Sequence, residues 1–219
     1  MKSFFDLAKI NELINMYDGK RSVIFPYIRE KFMNELMNNP KSDLHEGEES
    51  FFMEFAFFEN DYYQIKKDLL INDINRTIVD IGCQLGLQSE LFLDMEYIGI
   101  EHQSPVLLNE GLSNVHYIKE LFPCKNLNIS DKVVISNMSL GYFNCYLDKN
   151  CDSKKDALDE VDFKFLKELS KAKILYCNSR TIFIEELKKY FKNHKFLSDK
   201  KFDGYRVDGI STGVYKFYN

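Results

Sequence analysis

The residues best placed to do chemistry lie in Asp80-Ile-Gly82-Cys-Gln84-Leu-Gly86 and, a little further on, in Tyr97-Ile-Gly-Ile-Glu101. The first stretch is an apolar run that ends in a tight glycine turn. The second is an apolar run that ends on an acid. Gly82 and Gly86 lack a Cβ, so the backbone there can approach a ligand closely. Glu101 can accept hydrogen bonds from both hydroxyls of a ribose, an arrangement shared by nucleotide-binding α/β sheets. Each residue also has a plainer reading: Asp80 as a cap of the turn, Glu101 as an exposed strand-end acid. Cys83 reads as a small buried hydrophobe rather than a nucleophile.

Positioning such a loop takes a strand before it, a helix after it and a second strand beside it. The pattern supplies all three and then repeats them. Strands are expected at 77–82, 97–101, 115–118, 132–137 and 172–177, and helices near 87–94, 104–110, 156–169 and 180–190. Two closing strands follow near 194–199 and 211–217. Repeated strand–helix alternation argues a parallel sheet with helices on both faces.

Ahead of this unit, residues 1–60 read as a helical extension or lid, and 61–219 as the main domain. Phe4, Leu7, Ile10, Ile14 and Tyr17 follow helical spacing, and Pro40 and Gly47 punctuate a polar loop. The aromatic run from Phe51 to Phe58 reads as a packed core helix or as a cap over a ligand pocket. Asn60 or Asp61 can cap a further helix from Tyr62 to Ile71.

The bulk properties narrow the class. The chain has 219 residues and a net charge of −5, with pI about 5.5, so it has no general electrostatic attraction to nucleic acid. Lys188, Lys189, Lys192, Lys195, Lys200 and Lys201 read as a solvated helix face and loop rather than a basic docking patch. No apolar run approaches the ~20 residues that span a bilayer. The opening residues carry Asp6 and Lys9 where an export signal would be apolar, so the cytoplasm is expected. Five cysteines (Cys83, Cys124, Cys145, Cys151, Cys177) without a CxxC pair, and four scattered histidines, read as free thiols and no metal site.

The loop and its acidic strand resemble motif I and the following segment of the class I S-adenosylmethionine (SAM) methyltransferases. There the pattern is Asp-x-Gly-x-Gly-x-Gly, and Gln84 stands where the middle glycine would be. Tyr97-Ile-Gly-Ile-Glu101-His-Gln-Ser104-Pro105 resembles the family's Gly-Ile-Asp-x-Ser-Pro segment. Asn114-Val-His-Tyr-Ile-Lys-Glu120 resembles the third strand and its acid. Asp131-Lys-Val-Val-Ile-Ser136-Asn137-Met-Ser-Leu-Gly-Tyr142 resembles motif IV. The Pro-Gly-Gly turn common before the fifth strand is replaced by Lys171-Ala-Lys173.

The resemblance implies a Rossmann-like sheet, mostly parallel, with an antiparallel last strand, and it implies S-adenosyl-L-methionine as cofactor. By the same resemblance Asp80 would organise the cofactor's amino group, and backbone at Gly82, Cys83 and Gly86 would pass its methionine moiety. Glu101 would hold the ribose. His102 and Gln103 would flank the adenosine, Glu120 would reach the adenine, and Asn137 would line the methyl-transfer pocket. Ser136-Asn137-Met138-Ser139 lacks the proline pair of amino-methylating DNA enzymes and the Asp of one class of RNA 2'-O enzymes. A small-molecule or protein methyl acceptor is therefore expected, and a nucleic acid or a membrane is not. His102, His116 and Tyr142 are the candidate bases. Two other readings stay open: a non-catalytic module whose glycine loop has drifted at Gln84, and an NAD enzyme, disfavoured because Gly-x-Gly-x-x-Gly is missing.

Overall fold

A computed structural model describes residues 61–62, 64–84, 86–102, 109–137, 139, 157–197 and 213–219. The expected extension over 1–60, residues 104–108 of the expected helix over 104–110, Gln103, Tyr142, Cys145 and Cys151 lie outside these residues, and Asn109 and Glu110 form a turn.

Seven strands form one sheet among the described residues: β1 (Ile78–Ile81), β2 (Tyr97–Ile100), β3 (Val115–Ile118), β4 (Val133–Asn137), β5 (Ile174–Asn178), β6 (Asn193–Leu197) and β7 (Val214–Tyr218). Their spatial order is β3-β2-β1-β4-β5-β7-β6. The neighbours from β3 to β5 pair in parallel, whereas β7 runs antiparallel to both β5 and β6. This is the Rossmann-like sheet with a reversed last strand that the resemblance implied. Strand order reverses direction at β1, with β2 on one side and β4 on the other. Crossovers leaving β1 and β4 therefore diverge and open a crevice at the carboxyl ends of those strands.

Residues of a strand point alternately to the two faces, and each face is covered by different elements. On one face Val79, Ile81, Ile100, Val134, Leu175, Cys177 and Phe217 pack in one buried cluster. Phe165, Leu166 and Leu169 from α2 (Glu160–Leu169) and Phe183, Ile184 and Leu187 from α3 (Thr181–Leu187) complete that cluster. The expected helix over 156–169 begins later, because Asp159 and Asp162 form a capping box with bonds of 2.9 and 3.0 Å that sets the first turn.

The other face is covered by α1 (64–71, with Asp61 and Tyr62 helical ahead of it). Tyr62, Ile65 and Leu69 are buried at helical spacing. The expected helix over 87–94 is instead a 3₁₀ helix over Leu87–Phe92. The Gln88 side chain reaches back to Asp80 at 2.6 Å and to the Cys83 carbonyl at 3.1 Å, which draws the first turn tight against the loop.

The α1 face carries charge inside. Lys216 of β7 donates to Asp68 of α1 at 2.6 Å, and the Tyr176 hydroxyl donates to the same Asp68 oxygen at 2.7 Å. Asp68 and Lys216 are each 8% exposed. A buried pair of this kind adds little net stability when intact, yet removing one partner strands the other charge. Asp68→Ala should therefore lose about 3–5 kcal/mol in denaturant unfolding. Replacing the whole cluster (Asp68→Leu, Lys216→Met, Tyr176→Phe) should recover most of that loss.

Candidate functional site

The site is built at the carboxyl ends of β1, β2, β4 and β5. Asp80 sits near the end of β1 and is fully buried. One carboxylate oxygen, Oδ2, accepts from Gln88 Nε2 at 2.6 Å and from the Tyr97 hydroxyl at 2.7 Å. The other, Oδ1, is buried and completes no hydrogen bond. Burial pushes the Asp80 carboxyl up to about 7; the bonds from Tyr97 and Gln88 and the nearby Tyr62 hydroxyl pull the other way, and the charge of Glu101 adds to the rise.

The loop after β1 turns through three left-handed residues: Gly82 at φ 70°, Gln84 at φ 52° and Gly86 at φ 71°. Gln84 thus holds the conformation that a glycine would adopt freely, which is uncommon for a residue with a Cβ. The Gln84 backbone N–H donates to Glu101 Oε2 at 3.1 Å, so the acid ending the β2 segment faces the loop. Glu101 Oε1 accepts from the His102 N–H at 2.8 Å, and the Glu101 side chain is 11% exposed.

The two glycines also meet the chain's own side chains. A Cβ on Gly86 would run into the Tyr117 hydroxyl and ring, and one on Gly82 would stand 2.9 Å from Ser139 Cβ. Glycine at these places is demanded by left-handed backbone and internal packing, a different reason from the open approach to a ligand that the spacing suggested. Cys83 is buried, and burial pushes its thiol well up, so it stays protonated at neutral pH.

Asn137, at the end of β4, is 8% exposed and stands beside Asp61 and Tyr62. Neither its Nδ2 nor its Oδ1 completes a hydrogen bond. Its cross-strand partner Asn178 donates to Asp61 Oδ2 at 2.7 Å. Asp61 was one of two candidate helix caps, with Asn60; its carboxylate reaches across to the end of β5. Burial pushes Asp61 up to about 6 against the lowering bond from Asn178.

The remaining expected residues are more peripheral. His102 Nδ1 lies 3.4 Å from Glu101 Oε1, with its side chain 26% exposed. Glu120 is exposed beyond β3. His116 is exposed and pairs with Glu96 just ahead of β2, toward the opposite end of the strands from the loop. Asp61, Tyr62, Gln88, Tyr97 and Asn178 were not expected in the site. The available signal was polarity at the end of an apolar strand, as in Ile174-Leu-Tyr-Cys-Asn178-Ser179. Among the described residues no group of three His, Cys, Asp or Glu could hold a metal, and no helix is long and apolar enough to cross a membrane. Lys188 and Lys189 are paired with Glu185 and Glu186 on their own helix.

No family model matches the chain, and no curated protein matches it in sequence. Solved structures do. The N-methyltransferase NodS from Bradyrhizobium japonicum WM9 superposes with a TM-score of 0.52 at 11% identity, over 75% of this chain and 97% of that one. A SAM-dependent methyltransferase from Leishmania major gives 0.44 at 13% identity, over 72% and 71%. The chain has the class I methyltransferase fold. Within that fold the residues present suit an adenosyl cofactor: an orphaned buried carboxylate oxygen lies at the foot of the loop, and a second carboxylate is turned toward the same loop.

Two outcomes follow from this geometry. Because Asp80 is raised from 3.8 to about 7, its contribution to stability is fully present below about pH 4 and is lost as pH rises through 7. Asp80→Asn lacks that loss, so the variant should gain on the parent by on the order of 1–3 kcal/mol between pH 5 and pH 8 in denaturant unfolding. Gly86→Ala should lose about 2 kcal/mol or more through positive φ and the Tyr117 clash, and a Tyr117→Phe background should return part of it.

Proposed function

We propose that this chain is an enzyme that transfers a methyl group from S-adenosyl-L-methionine to a small molecule or a protein side chain. The single observation that carries the reading is the orphaned Asp80 Oδ1, fully buried beneath a left-handed loop that Glu101 faces from the next strand. A buried carboxylate oxygen without a partner is costly, and a cationic amino group supplies the missing donor. Asp80 would hold that group, Glu101 the ribose hydroxyls, and the backbone of Gly82, Cys83 and Gly86 the methionine chain. When bound, the cofactor supplies a methyl group on a positively charged sulfur.

The chain's own contribution is mainly positional. Holding two reactants aligned in a site closed to water supplies much of the rate. Asn137 and Asn178 end adjacent strands at the point where an acceptor would enter. The net charge of −5 argues against a polyanionic acceptor. Three buried free cysteines, Cys83, Cys124 and Cys177, suit a reducing compartment and support a cytoplasmic protein. The non-catalytic alternative leaned on Gln84, whose φ of 52° keeps the left-handed turn despite the lost glycine.

Calorimetric titration with SAM and with NAD tests the reading. Micromolar affinity for SAM is expected, none for NAD, and at least a tenfold loss of SAM affinity in Glu101→Ala. A chain that binds neither cofactor is a scaffold only.

A further inference from the structure

Three polar side chains meet to one side of the glycine loop, at the ends of β4 and β5. Asn137 and Asn178 are cross-strand partners, and Asp61 reaches in from the head of α1. Their exposures are 8%, 3% and 6% in that order. Buried polar groups in native proteins are nearly always bonded. Here Asn137 Nδ2 and Oδ1 and Asn178 Oδ1 complete no hydrogen bond. A group of unmet polar atoms at one place is suited to a polar guest.

The polarity of that group is readable. Asn178 donates its Nδ2 to the Asp61 carboxylate, which turns its Oδ1 away as a fixed acceptor. Asn137 Oδ1 also accepts, and Asp61 brings negative charge. The buried cations of α1 and β7 are engaged elsewhere: Lys66 with Asp94 and Lys216 with Asp68. An ammonium group brings several N–H donors and no acceptor, whereas a hydroxyl brings a single donor and needs donors in return. Among the described residues Asn137 Nδ2 is the one unmet donor there, against two unmet amide oxygens and the Asp61 carboxylate, so acceptors outnumber donors.

We propose that Asp61, Asn137 and Asn178 form the acceptor subsite, and that it takes a primary or secondary amine bound as its ammonium ion. This rests on the methyltransferase reading above. The bound ammonium passes one N–H proton to the Asp61 carboxylate. The electron pair of that N–H bond stays on nitrogen as the lone pair a nucleophile needs, and Asp61 becomes a neutral acid. Burial, which pushes Asp61 up to about 6, suits it to accept a proton near neutrality.

The test is calorimetric titration of the full chain with matched pairs: benzylamine against benzyl alcohol, and putrescine against 1,4-butanediol. Each is run alone and with S-adenosylhomocysteine present. At least one amine should bind ten times more tightly than its alcohol. Asp61→Asn should weaken that amine at least tenfold while changing SAM affinity less than threefold. Asn137→Ala removes an amide that completes no hydrogen bond, so it should weaken the amine at least threefold, and it carries the test if Asp61→Asn does not fold. Alcohols binding as well as amines, or no amine binding, overturns the proposal. So does an Asp61→Asn variant that loses SAM instead, since Asp61 would then belong to the cofactor. Amine binding that depends on Asp61 in a chain without SAM affinity keeps the subsite and removes the methyltransferase reading.

Discussion

The structure depends on a polar layer buried between α1 and the sheet. Most sheet faces in α/β proteins are apolar. Here Asp80, Tyr97, Tyr176 and Lys216 all point inward on one face, and α1 answers with Asp61, Tyr62 and Asp68. Each buried polar group carries a large desolvation cost unless it is paired. The pairings are directional, so they allow one rotation and one height of α1 over β5 and β7. Apolar contacts from Ile65 and Leu69 alone would tolerate a slip along the helix axis; the Asp68–Lys216 pair would not. Asp61, seven residues ahead of Asp68 and so two turns along the same helix, is carried to the end of β5 by that registry.

The second constraint is the strand-order reversal at β1. It leaves the crevice between the segments that follow β1 and β4, and the chain lines this crevice with functional groups. The loop keeps its shape through positive φ at three residues, one of them Gln84. Tyr117 from β3 packs under Gly86 and buttresses the loop from within. The loop is therefore held by the fold rather than awaiting a ligand to shape it, which is the preorganisation that binding and catalysis both exploit.

Burial divides the carboxylates of the region into different roles. Glu101 lies near the surface and is turned to the loop backbone. Asp80 and Asp61 are deep, and burial raises both toward neutrality. They are poised differently because their neighbours differ. Asp80 is ringed by hydroxyl and amide donors on one oxygen, while Asp61 shares its pocket with amides whose own bonding is incomplete. Carboxyl groups in one crevice with distinct environments are how a site separates binding from proton handling.

Much of this was written in local pattern. Apolar runs of strand length, spaced by helical segments, were enough to place all seven strands within about three residues at either end. The Asp-x-Gly-x-x-x-Gly turn and the acid of Tyr97-Ile-Gly-Ile-Glu101 marked the crevice, because such features follow from neighbours along the chain. Long-range pairing was not readable in the same way. Nothing in Asp61-Tyr62 says that a carboxylate with the profile of a helix cap will bond Asn178 instead. Nothing in the spacing says that Tyr117 will fill the room beside Gly86. Those outcomes depend on which faces meet once the sheet closes, and burial then forces each polar group to find whatever partner tertiary packing brings within reach.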